Sequence, residues 1–160
     1  MFCVDFIVQS ASKLLRMSII FKVILNIIKM SKTQQDDLLT CYCIQNVEET
    51  RTYVGATNCF TRRIRQHNAE ISGGAQSTKG WSWKPIILVR GFPTRHDLLR
   101  FEWLWKHSKN FVTHKSPMKR IEILNYLLST EEFKPYLWVE TTTDIAGWIT
   151  CENEIKELAM

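Results

Sequence analysis

The chain has 160 residues, 45% of them hydrophobic, and a formal net charge of +5. That length buries one substantial core and argues for one folded domain. Five cysteines, at positions 3, 41, 43, 59 and 151, are odd in number and form no Cys-x-x-Cys pair, which argues against a zinc module or a disulfide framework and fits a reducing compartment.

The net charge conceals a sharper pattern. Residues 1–35 carry five basic side chains and one acid, and residues 36–50 carry four acids and no base. From Arg51 to Arg120 there are fourteen Lys or Arg against three acids, and residues 121–160 reverse to two against eight. Trp81, Trp83, Trp103 and Trp105 lie inside the cationic block. A solvated basic face explains the charges alone. Basic residues interleaved with aromatics also suit a nucleic-acid surface, where phosphates are neutralised and unpaired bases stack.

In chain order, residues 1–35 form a basic, apolar extension. Leu14 to Ile28 is interrupted by Arg16 and Lys22, so its charge-free runs are far shorter than the roughly 20 residues of a membrane span. No small-x-small cleavage site follows it before Met30, which argues against a secretory signal. A basic targeting helix, a surface-lying amphipathic helix, or translation starting at Met17 or Met30 are the readings left, and the segment is expected to be dispensable.

A core domain is predicted over 36–142. Leu38–Gln45 reads as a buried strand and Thr52–Val54 as its hairpin partner across a polar turn. Cys41 and Cys43, two apart, point to one face as buried thiols. Gly55 breaks the second strand, and Phe60, Ile64, His67 and Ile71 then follow a helical spacing. Thr57 or Asn58 is expected to cap this helix. Arg62, Arg63 and Arg65 near its start oppose the helix dipole, a cost that a phosphate would offset. Ser72–Gly80 reads as a flexible small-residue loop. Trp83–Gly91 holds the apolar run of a central strand, ended by Pro93. Thr94 with Asp97 resembles a capping box opening a helix over Arg95–Ser108. Another helix covers Met118–Ser129, and a short strand lies within Pro135–Thr141. The acidic tail, 143–160, has a weak helical pattern at Glu152–Leu158. The fold class predicted is α/β, a small sandwich with a mixed or antiparallel three-stranded sheet flanked by helices.

These residues carry a resemblance. Tyr53-Val54-Gly55 follows Thr40-Cys41-Tyr42 at the spacing of the two-strand signature of the GIY-YIG nuclease superfamily. Arg63 and His67 fall where that superfamily has an arginine and a histidine. Arg63–Asn68, Gly73-Gly-Ala75, Gly91-Phe-Pro93 and Leu99–Trp105 resemble the catalytic subunit of eukaryotic structure-selective endonucleases that cut flaps, forks and Holliday junctions. The resemblance runs from about residue 38 to 140. The first triplet departs from it, reading Thr-Cys-Tyr where the family begins Gly-Ile or Gly-Val; an alternative register would place Leu39 at the tyrosine position.

The resemblance implies a metal-dependent endonuclease that hydrolyses phosphodiester bonds in branched DNA during repair or recombination. Glu102 would hold one Mg²⁺ or Mn²⁺; read without the resemblance, it is an ion-pair partner of Lys106 four residues on. Tyr42 would act as general base with Tyr53 positioning water, given that Arg63 and the metal lower the phenol pKa; the alternative for each tyrosine is simple packing. Arg63 would grip the scissile phosphate, and His67 would bond a phosphate or orient a tyrosine. Arg62, Arg65, Lys79, Lys84, Arg95 and Arg100 are candidate DNA contacts, or solvated charges. Trp81 and Trp83 are expected to stack on bases, and Trp103 and Trp105 to support the core. The family's C-terminal zinc module has no counterpart in these 160 residues, so no zinc is expected, and no scaffold protein is identifiable. Membrane association is not expected; an intracellular location, in a nucleus or at a viral replication site, fits the resemblance. The alternative function is a catalytically inactive DNA-binding module of the same fold.

Overall fold

The computed structural model describes residues 38–108, 116–133, 137–150 and 153–158; the expectations for residues 1–35 lie outside them. Strand β1 (Thr40–Asn46) pairs antiparallel with β2 (Thr52–Thr57), with Tyr42 opposite Gly55 and Ile44 opposite Tyr53. Leu39 precedes the strand, and Tyr42 holds the position facing the glycine.

Helix α1 (Phe60–His67) follows. Its N-cap residue is Cys59, which makes no side-chain cap, rather than Thr57 or Asn58. Thr57 instead closes the turn one step earlier, its Oγ1 accepting from the Cys59 amide at 3.1 Å. A single 3₁₀ turn (Gln76–Thr78) leads to β3 (Trp83–Arg90). Helix α2 (Arg95–His107) starts as predicted, the Thr94 hydroxyl accepting from the Asp97 amide, and α3 (Pro117–Ser129) begins at proline, whose missing N–H costs nothing in a first turn. After β4 (Trp138–Thr141) come the short helix α4 (Thr143–Ala146) and β5 (Ile155–Glu157).

The sheet has five strands, in the order β2-β1-β3-β4-β5, where three were predicted. β5 runs parallel to β4 and replaces the helix expected at Glu152–Leu158. Backbone pairing decides this: the Val139 amide donates to the Glu154 carbonyl and the Leu158 amide to the Thr141 carbonyl. The sheet is therefore mixed, with β2 at one edge and β5 at the other.

Alternation along the strands divides the core. Cys41, Cys43, Val54, Ile87 and Val89 face Phe101 and Trp105 of α2 and Leu124 and Leu128 of α3. Tyr42, Ile44 and Leu88 face the other way, toward Phe60, Trp83 and Leu158. The two thiols share a face, as expected, and burial pushes both up, Cys43 to about 12. Between β3 and β4, Arg90 and Glu140 form a buried ion pair at 3.0 Å. No helix among the described residues is long and apolar enough to cross a membrane.

Candidate active site

Gly55 is where the site starts. A Cβ built there would overlap the Tyr42 hydroxyl and lie 3.0 Å from Tyr53 Cε1. The missing side chain lets the Tyr42 phenol lie across β2 toward the sheet edge. The ring is fully buried, 5.3 Å from the Phe60 ring and 5.7 Å from the His67 ring.

Helix α1 brings Arg63 and His67, one turn apart, onto that hydroxyl. Arg63 Nε donates to Tyr42 Oη at 3.1 Å, and His67 Nε2 lies 2.8 Å from the same oxygen. Tyr53 completes the aromatic group, its ring 5.0 Å from that of His67 and 6.4 Å from that of Tyr42. Burial pushes the Tyr42 phenol well above its ordinary range, outweighing the opposing pull of Arg63. Arg63 pulls the phenol down, as expected, but by less than burial raises it: desolvating a phenolate costs more than one guanidinium returns. Burial, then the Arg63 charge, pushes His67 down to about 4, so its ring is neutral near pH 7.

The glycine loop is tied down rather than loose. Arg63 Nη1 donates to the Gly73 carbonyl and to Gln66 Oε1, both at 3.0 Å, and Gln66 Nε2 donates to the Ser72 carbonyl. Gly73 has φ +102°, which an L side chain rarely adopts, and a Cβ at Gly74 would overlap the Gln66 carbonyl. The two glycines let the loop fold back onto the end of α1. There Thr78 Oγ1 meets His67 Nδ1 at 2.9 Å. Thr78 was not anticipated, and no local pattern in the sequence marks it.

Glu102 stands on α2, the helix packed on the opposite sheet face, near enough to Cys41 to raise its thiol pKa. Its Oε1 accepts from Lys106 Nζ at 2.6 Å, so the ion pair weighed against a metal is formed. The same ammonium lies 5.4 Å from the centre of the Tyr53 ring and links Glu102 to the tyrosines around edge strand β2. Among the described residues no group of three or more His, Cys, Asp or Glu could hold a metal ion. A single hard carboxylate beside a position that already takes a cation fits Mg²⁺ or Mn²⁺, which bind through few protein oxygens and keep their waters.

Two clefts open along β2. One, of about 300 Å³, is bordered by Thr57 and Asn58 and by Arg62, Arg63 and Arg95. The other, of about 560 Å³, is bordered by Arg51, Tyr53, Lys106 and Arg120. Neither lining includes an acidic residue. Of the six predicted DNA contacts, Arg62 and Arg95 join Arg63 here, and Lys79 borders a third hollow beside the glycine loop. Arg65, Lys84 and Arg100 are instead paired with Glu70, Glu49 and Glu132. Arg51 and Arg120, which line the second cleft, were not among the sequence candidates, Arg51 because it sits at the end of a turn and Arg120 because it lies within a core helix.

The tryptophans exchange roles in part. Trp83 is buried and donates from Nε1 to the Thr78 carbonyl at 2.9 Å, so it supports the loop and offers no ring to a base. Trp81 is half-buried under the Arg51 guanidinium, 4.7 Å from its ring. Trp105 is core as expected, but Trp103 is 58% exposed and stacks on His107.

Residues 39–116 match the GIY-YIG catalytic domain. The structure-specific endonuclease subunit slx1 of Schizosaccharomyces japonicus is 42% identical over 73 residues, covering 44% of this chain and 27% of that protein. The structure-specific endonuclease subunits SLX1 of Mus musculus and Homo sapiens are 41% and 39% identical over 85 residues, covering 51% of this chain and 32% and 31% of theirs. The chain thus matches about a third or less of the length of these relatives. The hairpin with Tyr42 over Gly55, the helix carrying Arg63 and His67 and the flanking helix with Glu102 all lie in residues 39–116, so this part of the chain is similar to the GIY-YIG catalytic domain and to the structure-specific endonuclease subunits.

Proposed function

We propose that this chain is a metal-dependent endonuclease that hydrolyses a phosphodiester bond in branched DNA. The observation that carries the reading is the hydrogen-bonded set Arg63–Tyr42–His67 at an edge strand flanked by two acid-free cationic clefts. From Arg51 along β2 to Thr57 the chain spans about 20 Å at roughly 3.3 Å per residue, room for several phosphates of one strand. Arg62 and Arg95 would hold phosphates at one end and Arg51 at the other, leaving Tyr53 and Arg63 at the scissile bond.

Arg63 is oriented by its bonds to Tyr42, Gln66 and Gly73 and also interacts with Tyr53, so its guanidinium stands between the two tyrosines, where it would engage a phosphate oxygen. A water held by Tyr53 passes a proton to Tyr42 Oη as Tyr42 passes its own to His67 Nε2. The resulting oxygen bonds to phosphorus, the bond to the leaving sugar oxygen breaks, and that oxygen takes a proton from solvent. The phosphate's negative charge offsets the burial that holds His67 neutral in its absence. Glu102 is the residue that would hold the divalent metal, which neutralises charge on the phosphate when bound. Branched DNA is our reading of the structure specificity in the relatives' names, and their designation as subunits suggests a protein partner here too.

The test is a nicking assay of the full chain on labelled flap, fork and four-way-junction DNA with Mg²⁺ or Mn²⁺. Metal-dependent nicks that vanish in Glu102→Ala and Arg63→Ala support the reading. Salt-sensitive junction binding with no cutting under any metal would replace it with the inactive DNA-binding module.

A further inference from the structure

Both ring nitrogens of His67 are hydrogen-bonded, and the loop decides which one carries the proton. Thr78 Oγ1 lies 2.8 Å from the Ala75 carbonyl oxygen and 2.9 Å from His67 Nδ1. A carbonyl has no proton to give, so the single hydroxyl proton of Thr78 goes to Ala75. The Thr78 oxygen is then the acceptor, and Nδ1 must carry the hydrogen. In a neutral imidazole Nε2 is left with only its lone pair, and it faces Tyr42 Oη at 2.8 Å. Tyr42 therefore donates to His67 while accepting from Arg63 Nε. Four hydrogen bonds, from Arg63 through Tyr42, His67 and Thr78 to Ala75, run in one direction, set from the loop end.

We propose that Thr78 is a positioning residue of the site, holding His67 as its Nδ1–H tautomer so that Nε2 remains open to the Tyr42 proton. The surroundings are built for that task. Thr78 is 1% exposed, its amide donates to the same Ala75 carbonyl at 3.0 Å, and its own carbonyl accepts the buried Trp83 indole. Because burial holds His67 neutral near pH 7, the choice of tautomer is one the ring must make. The catalytic consequence rests on the endonuclease reading; the tautomer does not.

The experiment uses the full chain labelled with ¹⁵N-histidine, with the ring signals of His67 identified by their loss in His67→Gln. It compares the parent with Thr78→Val, which keeps the shape and removes the hydroxyl, and Thr78→Ser, which restores it. The parent and Thr78→Ser are expected to show Nδ1–H and Thr78→Val a shift toward Nε2–H. In parallel nicking assays kcat falls about tenfold in Thr78→Val at unchanged KM, the loss of one orienting hydrogen bond, and recovers in Thr78→Ser. An Nε2–H ring in the parent overturns the proposal without any variant, as does Thr78→Val with parental tautomer and kcat. A parent that binds but never cuts refutes the endonuclease reading, and the ring signals alone then decide the role of Thr78.

Discussion

Replacing Gly55 by alanine tests the packing on which the site depends. The added Cβ would overlap Tyr42 Oη and Cζ, and the phenol cannot retreat because Phe60 and His67 pack against it in a fully buried position. Overpacking of this kind costs about 1–3 kcal/mol. Displacing the hydroxyl also strips buried His67 Nε2 of its partner, about 1 kcal/mol more. Alanine restricts the unfolded chain and returns about 0.4–1 kcal/mol. The net is a destabilisation of about 1–3 kcal/mol, or a Tm lower by about 4–10 °C for a domain of this size. Thermal and urea melts of the parent, Gly55→Ala, Tyr42→Phe and the double variant measure it. Tyr42→Phe removes the atom nearest the new methyl, so the double variant should recover about 1 kcal/mol relative to additivity. Gly55→Ala melting within a degree of the parent, or strict additivity, would refute the claim that Gly55 exists to admit the Tyr42 hydroxyl.

The depressed His67 pKa makes a pH prediction. The unfolded imidazole, near 6.5, binds a proton that the folded one refuses until about 4. The stability this provides is complete above pH 6.5 and is lost as pH falls toward 4, at up to about 1.4 kcal/mol per unit; urea titrations should show that limb in the parent and a flatter one in His67→Gln. For DNA binding, Arg62→Ala and Arg95→Ala should each lower the salt slope of the affinity by about one, as expected for a lost phosphate contact. Arg100→Ala, whose guanidinium is held by Glu132 at 2.9 Å, should leave the slope unchanged in the same fluorescence-anisotropy titrations.

The hairpin, the arginine helix and the Thr94 cap were legible because each depends on residues close in sequence. Tyr42, Arg63 and His67 converge because strand pairing and one helical turn fix where they point. Trp83 shows where such reading ends. Simple alternation along β3 would group it with Ile87 and Val89, but a bulge opposite Cys43 and Ile44 inserts one residue, reverses the parity and turns it onto the Tyr42 face. Trp103 was readable, since Phe101 and Trp105 four apart define the inward side of α2 and leave it outside. β5 was not, because Ile155-Lys156-Glu157 is too short to show an alternating pattern and forms by pairing with β4. Thr78 escaped for a similar reason: its meaning comes from a ring eleven residues back that the loop reaches only by folding over.

Cys41 and Cys43 flank the site tyrosine on the strand that carries it, inaccessible and with thiol pKa values pushed up by burial. A thiolate is the species that reacts, so neither should respond to alkylating agents or peroxide while the sheet is intact. Cys59, partly exposed at the start of α1, offers a contrast in the same molecule. The ratio of labelling rates at the strand and helix positions therefore clocks how often β1 detaches, which makes the lifetime of the assembled site measurable without substrate.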